Sequence, residues 1–209
     1  MTLGVDQLRA TVCAAVDAID DLEQELNEAD AKLGDGDTGG MLARLLHSMK
    51  ETSVPPDADL GEAFRAYAKA ATLATGSSLG TLLATALMTC AKETKGQREL
   101  ALADLGKLLS ASRDSMMARG GAKLGDKTVL DALDAVACAV TGLSDPEAMS
   151  EAARRAGREA LEHFRGRPNQ VGRARMFADR TVGLDDPGML AFVKLCEAVT
   201  APRESHSTT

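Results

Sequence analysis

Apolar side chains recur every three or four positions along nearly the whole chain, the period of helices with one buried face, and strict alternation is almost absent. Val5, Leu8, Val12, Val16, Ile19, Leu22 and Leu26 set out a long first helix. Met41, Leu42, Leu45, Leu46 and Met49 begin a second, stopped by Pro55-Pro56. A third runs from Leu60 through Phe64 and Tyr67 to Ala74, a fourth from Leu79 to Ala91, and a fifth from Leu100 to Met117. The sixth spans Lys127 to Thr141. The seventh, opened by Asp145-Pro146-Glu147, reaches Phe164, and the eighth runs from Pro187 to Val199. Eight helices with short connections predict an all-α fold, an antiparallel up-and-down bundle or closed helical barrel. One domain is expected over 1–201, with a disordered tail over 202–209.

In such an arrangement the connections after helices one, three, five and seven lie at one end. Those are also the glycine-rich ones: Asp30 to Gly40, Gly76-Ser77-Ser78, Gly120 to Lys127, and Gly172 to Gly188. One rim would therefore gather carboxylates, small hydroxyls, helix N-termini and arginines, which together suit a nucleotide. The first connection is the most distinctive, because Asp30, Asp35 and Asp37 stand among Gly34, Gly36, Gly39 and Gly40. Carboxylates are the ligands of a hard cation such as Mg²⁺, which binds one or two of them together with substrate phosphates. Glycine lets a phosphate approach the backbone, and the N–H groups of the next helix favour an anion. The plain alternative is a turn in which Asp35 or Asp37 caps the second helix. A calcium loop fits poorly: counted from Asp35, the sixth position is Gly40, but the twelfth is Leu46 where a bidentate Glu belongs.

Composition narrows the class. Of 209 residues, 44% are hydrophobic and 26% charged, the balance of a soluble globular protein. Aromatic residues make up only 2%, so the core must be Ala, Leu, Val and Met, and stacking on single-stranded nucleic acid is disfavoured. A net charge of -7 also argues against a nucleic-acid partner. Cys13, Cys90, Cys138 and Cys196 are far apart in apolar surroundings, which predicts buried free thiols in a reducing compartment. The chain has no basic segment leading into an apolar one, and no apolar run near the ~20 residues of a membrane span. A cytoplasmic protein without a membrane partner is expected.

At this level of detail the chain resembles the nucleotide-binding L subunit (DhaL) of dihydroxyacetone kinases over nearly its whole length. The resemblance rests on Asp30 with Gly34-Asp35-Gly36-Asp37-Thr38-Gly39, on Gly76-Ser77-Ser78, on Gly125-Asp126-Lys127-Thr128 before Asp131-Ala132-Leu133, and on Gly172-Arg173-Ala174 through Asp179-Arg180-Thr181-Val182-Gly183 to Asp186-Pro187-Gly188. It implies an eight-helix antiparallel barrel with ADP or ATP and two Mg²⁺ ions at one rim. Carried over residue by residue, Asp30, Asp35 and Asp37 are the metal ligands. Thr38, Gly39, Ser77 and Ser78 lie at the phosphates. Gly121, Leu124 and the turn of Gly125, Asp126, Lys127 and Thr128 form the nucleoside pocket, and Asp186, Pro187 and Gly188 close its other side. Arg180 is the catalytic arginine facing the transferred phosphoryl group. Thr38 stands where many members carry His, and the turn at Ser78 passes directly into Leu79-Gly80-Thr81, shorter than usual in the family.

The resemblance further implies kinase activity that needs a separate sugar-binding K subunit. ADP would be recharged by a phosphotransferase-system phosphoryl carrier, or ATP would exchange freely; a homodimer is also within the family's range. Alternatives of the same descent are a kinase subunit for another ketose or tetrulose, and a nucleotide-responsive protein that contacts a transcription regulator.

Overall fold

The computed structural model describes residues 1–201, and the tail expected over 202–209 lies outside them. Eight helices are formed: α1 (Val5–Asp30), α2 (Thr38–Lys50), α3 (Leu60–Ala74), α4 (Ser78–Glu93), α5 (Leu105–Gly120), α6 (Val129–Val140), α7 (Pro146–Arg165) and α8 (Pro187–Val199). Each packs against the next, and α8 returns to pack against α1, so the bundle closes into a ring. The starts of the helices are written in side chains that satisfy otherwise unpaired N–H groups. Asp59 accepts from Glu62 while Glu62 reaches back to the Asp59 N–H. Asp145 and Asp186 cap α7 and α8, each followed by proline at the first helical position.

With few aromatic residues, the ring is filled by short side chains. Ile19, Leu26, Leu60, Ala63, Ala71 and Ala91 are inaccessible to solvent, and Ala132, Ala137 and Met189 play the same part on the α6–α8 side. Small residues at helix contacts let the axes approach closely, which is how a chain of this composition makes a dense interior.

Three expectations need correction. A two-stranded antiparallel ribbon, β1 (Thr2–Gly4) with β2 (Glu99–Ala101), is present, pairing Leu3 with Leu100. Three-residue strands are too short to leave a period in the sequence. Because β2 and a 3₁₀ turn at Leu102–Asp104 occupy the segment, α5 begins at Leu105 instead of Leu100. The thiols are all free, but Cys13 and Cys138 are exposed and only Cys90 is buried; an apolar neighbourhood in sequence does not tell which helix face a residue occupies.

Candidate nucleotide and metal site

The four glycine-rich connections do meet at one end. They border a cavity of about 530 Å³ onto which the starts of α2, α4, α6 and α8 open, at Thr38, Ser78, Thr128 and Asp186. Four helix N-termini around one space turn the positive ends of four dipoles toward it, a setting that favours an anion.

The acidic loop is folded around Asp30. This carboxylate, 8% exposed at the end of α1, accepts the N–H groups of Asp37 at 3.0 Å and Thr38 at 3.3 Å. Gly34 is required beside it, since a Cβ there would collide with the Asp30 carboxylate, and Gly36 turns the chain at φ +75°. Asp35 and Asp37 are thereby brought to Asp30, with ligand oxygens of the three all within 4.8 Å of one another. Asp37 occupies the N-cap position of α2, yet its side chain makes no capping hydrogen bond. That weakens the reading of the loop as an ordinary cap and leaves the carboxylate free to bind. Burial, and after it the neighbouring Asp35 charge, hold the Asp37 carboxyl above its usual range. Asp35 is pulled the other way by an ion pair with Arg173.

Of the other residues singled out in the sequence, Thr38, Ser78, Thr128, Asp186, Pro187 and Gly188 line the cavity. Gly39 is buried where α2 starts, against the backbone of Glu23. The Ser77 hydroxyl accepts the Gly80 N–H at 3.0 Å as the cap of α4. Gly121 ends α5 in the left-handed conformation, and Leu124 is exposed. Gly125 donates its N–H to Asp131, and Asp126 accepts the Lys123 N–H at 2.7 Å. None of these is among the residues lining the cavity. Arg180 also stands away from it, exposed, with its guanidinium 5.6 Å from the Phe177 ring centre.

Two cationic residues of the cavity wall were not given a role by the sequence: Arg173, paired with Asp35, and Arg119 at the end of α5. Arg173 was legible in principle, being one of several arginines in a glycine-rich connection, but its position over the acidic loop depends on the fold. Asp186 is the most strongly perturbed carboxyl here. Burial pushes it up to about 6, against the pull of the Met189 N–H, the Asn169 amide and Lys127.

Fold and site thus define a closed helical ring with an acidic, anion-receptive rim. The DAK2 domain family matches residues 32–201, and the chain belongs to that family. It is 34% identical over 193 residues to L-erythrulose 1-kinase of Mycolicibacterium smegmatis, covering 86% of this chain and 32% of that protein. The chain spans about a third of the length of the erythrulose kinases it matches. It is 26% identical to the ADP-binding subunit DhaL of a PEP-dependent dihydroxyacetone kinase of Listeria innocua, with 85% of this chain and 86% of that subunit covered. The fold is shared with the dihydroxyacetone kinase of C. freundii crystallised with AMP-PNP and Mg²⁺, at a TM-score of 0.73 and 23% identity over 96% of this chain and 34% of that one. No helix among the described residues is long and apolar enough to cross a membrane.

Proposed function

We propose that this chain is the nucleotide-binding part of a ketose kinase, holding ADP or ATP with Mg²⁺ at the rim and passing the phosphoryl group to a sugar held by a separate K-type subunit or domain. The observation that carries the reading is a cluster of three carboxylates, one of which, Asp30, lines a cavity onto which four helix N-termini open. The donor set fits a hard cation: all oxygen, with Asp37 unused as a cap. Asp30, Asp35 and Asp37 would hold Mg²⁺, whose charge would offset that of the nucleotide's phosphates. Two ions, as the resemblance implies, would share these three ligands. The positive ends of α2, α4 and α8 would face the phosphate oxygens, and the wall of Ala122, Thr128, Val129 and Leu130 suits the nucleoside. Arg173, lining the cavity, is assigned to charge on the transferring group. Arg180, assigned that part by the resemblance, would reach the phosphates only with a rearrangement of its connection.

The two carboxylates of the cavity wall are both occupied, Asp30 by the loop's N–H groups and Asp186 by the start of α8. Neither offers a free general base, so activation of the acceptor hydroxyl falls to the sugar-binding partner. A four-carbon ketose is the second acceptor to test beside dihydroxyacetone, because relatives at 32–34% identity are named erythrulose kinases. The donor follows from one experiment: identify the nucleotide that co-purifies and measure its exchange with added ATP. Tight, non-exchanging ADP supports recharging by a phosphoryl carrier, and rapid exchange supports free ATP. Failure to bind ADP or ATP in the presence of Mg²⁺ overturns the reading.

A further inference from the structure

Lys127 was read from the sequence as part of the nucleoside pocket, but its side chain points elsewhere. It is fully buried, on a backbone at φ +60° that non-glycine residues rarely adopt. Its ammonium donates to four main-chain carbonyls: Arg167 at 2.7 Å, Leu184 at 2.7 Å, Thr181 at 2.9 Å and, more weakly, Arg165 at 3.4 Å. Two of these carbonyls lie where the connection between α7 and α8 departs, and two where it returns. The ammonium therefore closes the neck of a loop whose middle supplies Val171, Gly172, Arg173 and Ala174 to the cavity wall.

Other contacts point the same way. The Gly183 N–H donates to the Arg165 carbonyl at 2.8 Å, and Arg165 holds Asp185 through two hydrogen bonds. Asn169 donates to both the Lys127 carbonyl and Asp186 at the start of α8. A buried ammonium is costly unless its donors are satisfied. Its environment is divided: burial pushes the amine down, while Asp186 and Asp185 favour its charge. The strap, whose regular part is a 3₁₀ helix over Ala174–Thr181, has a cation bound at its neck.

We infer that Lys127 is a positioning residue: by binding both feet of the strap it fixes Arg173 over the acidic loop and so completes the nucleotide cavity. This rests on the nucleotide reading above, but the strap and the nucleotide can be tested apart. In Lys127→Met, which keeps length and loses charge, trypsin should cut after Arg173, Arg175 and Arg180 at least tenfold faster than in the parent. MgADP should bind at least tenfold more weakly. The control is Leu45→Ala, a core deletion in α2 that lowers stability without touching the strap; its strap cleavage and MgADP affinity should stay near those of the parent. Lys127→Arg should recover part of the protection.

Unchanged strap cleavage in a folded Lys127→Met, or equal weakening in the Leu45→Ala control, overturns the assignment. If Lys127→Met does not fold, the parent decides: acylation of Lys127 by an amine-reactive ester, read by mass spectrometry, should slow at least threefold with MgADP while Lys50 is unaffected. Equal rates with and without MgADP, in a protein that binds it, overturn the assignment. A parent that binds no MgADP refutes the nucleotide reading alone, because the cleavage arm still reports on the strap.

Discussion

Two connections at the rim are each organised around a buried charge, and the charges are of opposite sign. In the Asp30–Gly40 loop a carboxylate draws backbone N–H groups inward; in the strap between α7 and α8 an ammonium draws carbonyls inward. The ammonium is spent on the protein, since all of its hydrogens face main-chain oxygen. The carboxylate is only partly spent, and it holds two more acids beside it. One loop is therefore complete in itself, and the other is built at an electrostatic cost that a bound cation would relieve. Arg173 joins them through Asp35.

The comparison breaks most visibly at Arg173 and Arg180, which belong to the same strap. If the arginine over the acidic loop serves the transferring phosphoryl group, Arg173→Ala lowers transfer to a sugar on the partner by roughly 10³-fold, the lower range for an arginine finger. Arg180→Ala would then leave the rate within a small factor. Single-turnover rates of the two variants decide between them, and the reverse ranking returns the role to Arg180. Lysine at the working position should rescue little, for want of a planar fork.

Ligand binding gives the next effect. MgADP at about a hundredfold above its Kd should stabilise the fold by roughly 2.7 kcal/mol, measured as a shift in thermal midpoint; no shift would mean that the acidic loop has no cation to complete it. Asp37→Asn sharpens the same point. Removing a carboxylate unused as a cap should cost the fold little and yet weaken MgADP at least tenfold, about 1.4 kcal/mol. Calorimetric titration with and without Mg²⁺ tests this, and an affinity equal to that of the parent would remove Asp37 from the ligand set.

The smallest expected effect is a change of slope with pH at Asp186. Its folded pKa of about 6 lies above the value near 3.8 of an unperturbed carboxyl, so the folded state holds the proton more tightly between them. That contribution to stability is present below pH ~4 and is lost as pH rises through ~6. Asp186→Asn lacks it, so the stability of the parent relative to the variant should fall across this window and be flat above it. Parallel urea titrations at pH 4.5, 5.5 and 7 supply the test, and parallel curves would refute the burial of this carboxyl.

Much of this was legible in the chain. The helix period of Val5 to Leu26 and of Leu60 to Ala74, and the Asp-Pro starts of α7 and α8, are local signals. The alternation of glycine-rich and plain connections foretold which end would hold the cavity. What the sequence did not disclose depends on contacts between distant segments. Thr128 looked like a pocket residue and is also the cap of α6, accepting the Leu130 N–H. Lys127, in a turn of polar residues, gave no sign that its amine would be buried 38 to 57 positions away from its partners. Arg173 and Arg180 cannot be ranked without knowing how the strap lies.

Closure of α8 onto α1 has a mechanical consequence. With an even number of antiparallel helices, the start of α1 and the end of α8 stand side by side at the pole opposite the cavity, as do the connections after α2, α4 and α6. The ring accordingly has no privileged first helix. A circular permutant joined from Ala201 to Met1 by a short flexible linker, and opened between Gly142 and Ser144, would leave every rim connection covalently intact. It should keep the same cavity, with the seam moved to the pole opposite it.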